Sequence, residues 1–359
     1  MSTVPRTILF DGPDPLHLSG GGTLAPVEVA YATYGELAPG RDNAVFIAHA
    51  LTGDAEAAQW WPTMVGPGRP VDTDRFFVVC ANLLGGCRGT TGPSSTDPAT
   101  GRAWGLDFPL ISVADLVTVH RRLLAHLGIE RLHAAVGGSL GGMQVLQWAA
   151  DAPGQIERAV LVAASARLST QNIALSNIAR QAILRDPDFR GGRYPDHGIV
   201  PVNGLSVARM LGHVTYVSEP GLEAKFGRSR RDGSTPGFGI DFEIESYLDH
   251  QASTFVDRFD ALSYLYLSRL LDYFDPFADD AFAAAIRDTR FQLISFDSDW
   301  RFGTSHSVLI EKELRRAGVD VERHEIASTW GHDSFLLDPP GYLDLVEGFL
   351  NDRTGVVHD

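Results

Sequence analysis

A lone serine between two glycine pairs, at the junction of an apolar run and a helical one, constrains this chain more than any other feature. Residues 131–144 read RLHAAVGGSLGGMQ. The unbroken apolar stretch predicts a buried strand. The glycines at 137, 138, 141 and 142 admit strained backbone angles around Ser139 and let the following helix lie close against the sheet. Such a turn lifts the serine hydroxyl above the sheet, over the positive end of a helix that begins at Leu140. The pattern G-x-S-x-G is short and by itself describes a glycine-rich turn as well as a nucleophile. The choice depends on whether an acid and a base reach the same edge of the sheet.

The rest of the chain has the rhythm of a parallel sheet covered on both faces. Residues 27–34, VEVAYATY, alternate as a strand, while 43–48 and 75–81 are buried strands by their apolar runs. The loops that follow these two strands, beginning at His49 and Asn82, leave C-terminal strand ends, where parallel sheets place their ligands. Ser112 opens a helix, with Asp115 placed for a capping box, and Gly128 stops it. After Ser139 come a helix to about residue 149 and a strand over 158–163. Strand, helix, strand, glycine turn and helix make an α/β fold with a mostly parallel sheet.

Beyond residue 167 the rhythm breaks. Segments such as SNIARQAILRD, LSVARMLGHVTY, FEIESYLDHQASTF and ALSYLYLSRLLDYFD read as helices, too apolar and aromatic for a linker. We expect a core domain of residues 1–167 and 286–359 carrying a helical lid insertion over 168–285, placed above the ligand edge or serving as a dimer surface. Strands return at 290–296 and 319–326, with helices at 306–317 and 341–350.

Each of the late strands runs into a loop with the right chemistry. The first offers Asp297 and Asp299, the second His332. An acid and a histidine in that order after the serine complete a triad in which His332 removes the Ser139 proton and the carboxylate orients and stabilises the imidazolium. Spacing does not choose between Asp297 and Asp299. The backbone N–H groups of Leu140, after the nucleophile, and Leu51, in the first loop, are candidates for the oxyanion hole.

Composition narrows the partners. With a formal net charge of −15, neither nucleic acid nor an anionic membrane is expected as the main partner. The sequence has no run of 18 apolar residues, and its first dozen residues lack a signal-peptide pattern, which together point to the cytoplasm. Cys80 and Cys87 make no metal spacing and suit a reducing compartment, so neither a metal site nor a disulfide is expected.

Several motifs together resemble a known family. HALTGD at 49–54, WWPTMVGPGRPVDT at 60–73, NLLGGCRGTTGPSS at 82–95, GGSLGGMQ at 137–144, ARMLGHVTY at 208–216, DWRF at 299–302 and GHDSFLL at 331–337 are similar to those of the homoserine O-acyltransferases of the α/β-hydrolase fold. The resemblance implies transfer of an acyl group from acyl-CoA to L-homoserine through an acyl-serine, on the way to methionine. Acyl-CoA is then a co-substrate, no resident cofactor is required, and a homodimer is expected. The resemblance selects Asp299 over Asp297 as the acid. It makes Arg209 the partner of the acceptor's carboxylate and Asp333 the partner of its ammonium, as a zwitterion requires. Arg301 accompanies the succinyl-transferring branch, since its guanidinium can pair with a distal carboxylate that acetyl lacks. Succinyl-CoA is therefore favoured over acetyl-CoA. A plain esterase shares the triad, but has no evident need of the Arg209 and Asp333 pair.

Overall fold

The computed structural model describes residues 4–233 and 236–352. Residues 1–3, 234–235 and 353–359, which include the outer ends of the expected core segments, lie outside the described residues. Eight strands form one sheet: β1 (Arg6–Phe10), β2 (Val27–Tyr34), β3 (Ala44–Ala48), β4 (Phe77–Ala81), β5 (Leu132–Gly138), β6 (Ile156–Val162), β7 (Arg290–Phe296) and β8 (Val321–Ile326). Their spatial order is β1-β2-β4-β3-β5-β6-β7-β8. The pairs β1–β2 and β2–β4 are antiparallel and every later pair is parallel.

Burial explains why the central strands read as continuous apolar runs. All five residues of β3 are buried, with Ala44, Phe46 and Ala48 in one hydrophobic cluster and Val45 and Ile47 in another. Both faces are thus core, as a parallel sheet requires. Helices α1 (Val113–His126) and α2 (Leu140–Asp151) bury their apolar faces in the first cluster. The C-terminal helix lies in the second. Ser112 and Asp115 form the expected capping box: Ser112 Oγ accepts from the Asp115 N–H at 3.2 Å, and Asp115 Oδ2 accepts from the Ser112 N–H at 2.7 Å.

Between β6 and β7 the chain forms α3 (Thr170–Leu184), α4 (Val202–Tyr216), α5 (Glu219–Phe226), α6 (Glu243–Val256) and α7 (Ala261–Tyr273). Helix α4 packs against α3, against α6 and against the 331–336 segment after β8, so it stands over the C-terminal ends of the strands. A buried ion pair, Arg180 Nη2 to Asp272 Oδ2 at 2.5 Å, ties α3 to α7. Helices α8 (Thr304–Arg316) and α9 (Tyr342–Asn351) complete the core, with Tyr342, Val346 and Phe349 of α9 in the second cluster. Both cysteines are free. Among the described residues, no helix is long and apolar enough to cross a membrane.

Candidate active site

Strand β5 runs directly into Ser139, whose backbone is held at φ 57°, ψ −121°. A non-glycine residue there is strained by roughly 1–3 kcal/mol and persists only where its surroundings enforce it. Two close approaches do so. A Cβ on Gly141 would stand 1.9 Å from the Ala48 carbonyl oxygen, and one on Gly137 would stand 2.2 Å from the Gly141 carbonyl carbon. Only glycine lets the first turn of α2 press against the ends of β3 and β5. The Ser139 N–H is meanwhile fixed to the Val162 carbonyl at 2.9 Å.

The late loops meet this serine. His332 Nε2 lies 2.9 Å from Ser139 Oγ, and His332 Nδ1 lies 2.7 Å from Asp299 Oδ2. A carboxylate only accepts, so Nδ1 carries the proton and Nε2 is left to receive the serine O–H. Burial alone would raise the Asp299 carboxyl. The His332 ring, with N–H donors from Phe302 at 2.8 Å and Arg301 at 2.9 Å, outweighs burial and holds it below the usual carboxylate range. Asp297 is used differently: exposed, it accepts the Ser328 N–H at 2.9 Å and ties the two late loops together.

Ser139, His332, Leu51, Arg209, Asp333 and Arg301 all line one cavity of about 270 Å³. Leu140 adjoins it as the first residue of α2, where an N–H has no carbonyl one turn back to bond. The Arg209 guanidinium sits 4.6 Å from the Phe255 ring centroid, and its buried Nε has no hydrogen-bond partner among the described residues. Arg301 donates from Nη1 to Thr215 Oγ1 at 2.9 Å and lies 5.3 Å from the Tyr216 ring centroid. Desolvation pushes the Asp333 carboxyl up to about 6, against the pull of His332 and Arg209.

Other residues in the cavity have no assigned role from the sequence. Arg258 donates to the Thr52 carbonyl at 3.0 Å and stacks 5.3 Å from the same Phe255 ring. His213 is pushed down to about 3, first by burial and then by Arg209, Arg258 and Lys225, so its ring is neutral. Arg209, His213 and Tyr216 recur at i, i+4 and i+7 on α4, and that polar stripe was a legible signal of a pocket-facing helix. No group of three or more His, Cys, Asp or Glu able to hold a metal ion occurs among the described residues.

A serine, a base and a buried acid in hydrogen-bonded series can make and break an acyl-serine. Three guanidiniums on the walls suit carboxylate-bearing ligands. The family model of the alpha/beta hydrolase fold matches residues 43–339. A homoserine O-succinyltransferase from Nocardioides sp. is 62% identical over 357 residues, covering 96% of this chain and 97% of that protein. A homoserine O-acetyltransferase from Nitrobacter hamburgensis is 50% identical over 360 residues, covering 96% of this chain and 90% of that protein. Among solved structures, a homoserine O-acetyltransferase from Bacillus anthracis superimposes with a TM-score of 0.88 at 26% identity, over 99% of this chain and 100% of that one.

Proposed function

The chain belongs to the homoserine O-acyltransferases of the α/β-hydrolase fold, and from that premise we propose that it transfers a succinyl group from succinyl-CoA to the hydroxyl of L-homoserine, on the route to methionine. In the first half-reaction Ser139 Oγ attacks the thioester carbonyl while His332 Nε2 takes the serine proton. The Leu51 and Leu140 N–H groups receive the oxyanion of the tetrahedral intermediate. The C–S bond then breaks, and His332 returns the proton to the departing thiolate. In the second half the homoserine hydroxyl gives its proton to His332 and attacks the acyl carbon, the bond from that carbon to Ser139 Oγ breaks, and His332 returns the proton to Ser139 as the homoserine ester leaves. Arg209 receives the acceptor's carboxylate and Asp333 its ammonium.

The observation that carries the succinyl assignment is Arg301. Its guanidinium lines the same cavity as Ser139 and is held by the Thr215 hydroxyl and the Tyr216 ring. A cation so anchored suits a distal carboxylate and has no partner in an acetyl group. The 62% identity to a homoserine O-succinyltransferase supports the same donor. The test is a matrix of succinyl-CoA and acetyl-CoA against homoserine and serine, run on the wild type and on Arg301→Leu. Loss of the charge-assisted pair should lower kcat/KM for succinyl-CoA by at least about tenfold, and leave acetyl-CoA level or better. Arg301→Lys should fall between. A parallel fall for both donors would assign Arg301 to the fold or to the shared CoA moiety, and acetyl would then be the donor to test first.

The acceptor site should show its own pH limb. Asp333, raised to about 6, holds an ammonium only when ionised, so acceptor binding is favoured above that pH and is lost as pH falls through it. The KM for homoserine should climb below about pH 6, approaching about tenfold per unit. Asp333→Asn should give a high KM that no longer depends on pH in this range. If the limb persists in Asp333→Asn, another group binds the ammonium.

A further inference from the structure

We infer that His49, which lies outside the reacting triad, is a positioning residue: by donating Nδ1–H to the Ala50 carbonyl, it aims the Leu51 N–H into the cavity. The inference deepens the reading above and rests on Leu51 as one of the two oxyanion donors. Ala50 C=O and Leu51 N–H belong to one peptide unit, and in a trans planar peptide they point in opposite directions. Whatever fixes the carbonyl therefore fixes the donor. Ala50 O is held from two sides, by His49 Nδ1 at 2.8 Å and by the Gly53 N–H at 3.0 Å.

The ring is built into the loop for this contact. His49 is buried, and burial pushes it below the ordinary histidine value, so it is neutral with a single N–H. A carbonyl only accepts, which places that N–H on Nδ1. Nε2 has no hydrogen-bond partner among the described residues. A Cβ on Gly53 would stand 3.0 Å from His49 Cβ and 3.1 Å from Nδ1, so the loop wraps around the ring with no room for a side chain.

The preceding peptide is held as well. Gln144 is fully buried on α2 and donates from Nε2 to the His49 carbonyl at 3.0 Å and to the Leu140 carbonyl at 3.2 Å. Its Oε1 accepts from His120 Nε2 at 2.9 Å, which fixes the orientation of the amide. One amide thus joins the two segments that carry the proposed donors.

The test separates hydrogen bonding from packing. In His49→Asn the amide Nδ2 takes the place of Nδ1 relative to the backbone, whereas His49→Leu fills the space and donates nothing. Acylation of Ser139 is followed with p-nitrophenyl acetate, which requires the oxyanion hole but neither CoA nor an amino acid, and in parallel with succinyl-CoA. His49→Leu should lower the acylation rate constant by at least about tenfold with KM within about twofold. His49→Asn should stay within about threefold of the wild type. A rate for Leu equal to or above that for Asn, or a loss confined to KM, overturns the inference. Should His49→Leu fail to fold, His49→Gln takes its place: its amide sits one methylene further out, and parity with Asn overturns the inference equally. Acylation by the ester but not by succinyl-CoA would reject the proposed reaction and leave His49 to be judged on the ester rates. A wild type that neither the ester nor succinyl-CoA acylates would reject both.

Discussion

Ser139→Ala is expected to form no acyl adduct with succinyl-CoA, and its transfer rate should fall by at least about a thousandfold. In the wild type, intact-mass measurement should show one succinyl group on the protein, with CoA released before any acceptor is added. The expectation follows from the hydrogen-bonded series Asp299, His332 and Ser139, at 2.7 and 2.9 Å. Because the three groups act as a unit, His332→Ala should cost nearly as much as Ser139→Ala, and the double variant little more. Asp299→Asn should be less severe than the loss of serine, since it keeps the size of the side chain but disturbs the tautomer in which Nε2 is free to take a proton. Initial-rate patterns give an independent check. Parallel double-reciprocal lines accompany a two-step transfer, whereas intersecting lines without an adduct would mean direct attack on the thioester and would remove Ser139 from the covalent role.

The sequence made this centre legible in unequal measure. The serine turn was readable because its glycines answer to backbone constraints: Gly137 and Gly141 are small where Ala48 O and the α2 backbone come within contact. The parallel strands were readable because both faces are buried and the runs are uninterrupted, and β7 begins and ends where its pattern does, at Arg290 and Phe296. Ends governed by hydrogen bonding shifted instead. Strand β4 starts at Phe77 rather than at residue 75, and β8 at Val321 rather than at 319. Helix α5 was missed, being short and without a clear apolar face; it is started by the Ser218 cap and Pro220. The edge strand β1 was missed for a similar reason, since only Leu9 and Phe10 of its five residues are buried.

Selecting the acid was beyond spacing because Asp297 and Asp299 share one turn. What separates them is three-dimensional: Asp299 is buried under two backbone N–H donors, and Asp297 faces solvent to cap Ser328. The resemblance chose Asp299, and the structure places it against His332. Arg258 was out of reach for another reason. Nothing local distinguishes it from a surface arginine, and only the fold brings it from the end of α6 to the Thr52 carbonyl.

The charge balance of the cavity leads to the second large effect, in Arg209→Ala. Arg209 is one of the groups that lower the Asp333 carboxyl, against the desolvation that raises it to about 6. Removing the guanidinium therefore takes away the proposed partner of the acceptor's carboxylate and also drives the Asp333 value further up, so that at neutral pH less of the ammonium's proposed partner is ionised. Loss of a desolvated charge pair costs roughly 2–5 kcal/mol. Transfer from the acyl-enzyme to homoserine should thus fall at least about thirtyfold in kcat/KM. The acylation half-reaction engages neither charge of the acceptor and should stay within about threefold of the wild type. Arg209→Lys, which keeps the charge but not the planar stacking on Phe255, should recover part of the loss. The pH limb supplies a readout that a general packing defect would not move: in Arg209→Ala the rise in homoserine KM should begin at a higher pH than in the wild type. Equal losses in both half-reactions, with the limb unmoved, would place Arg209 outside the acceptor site.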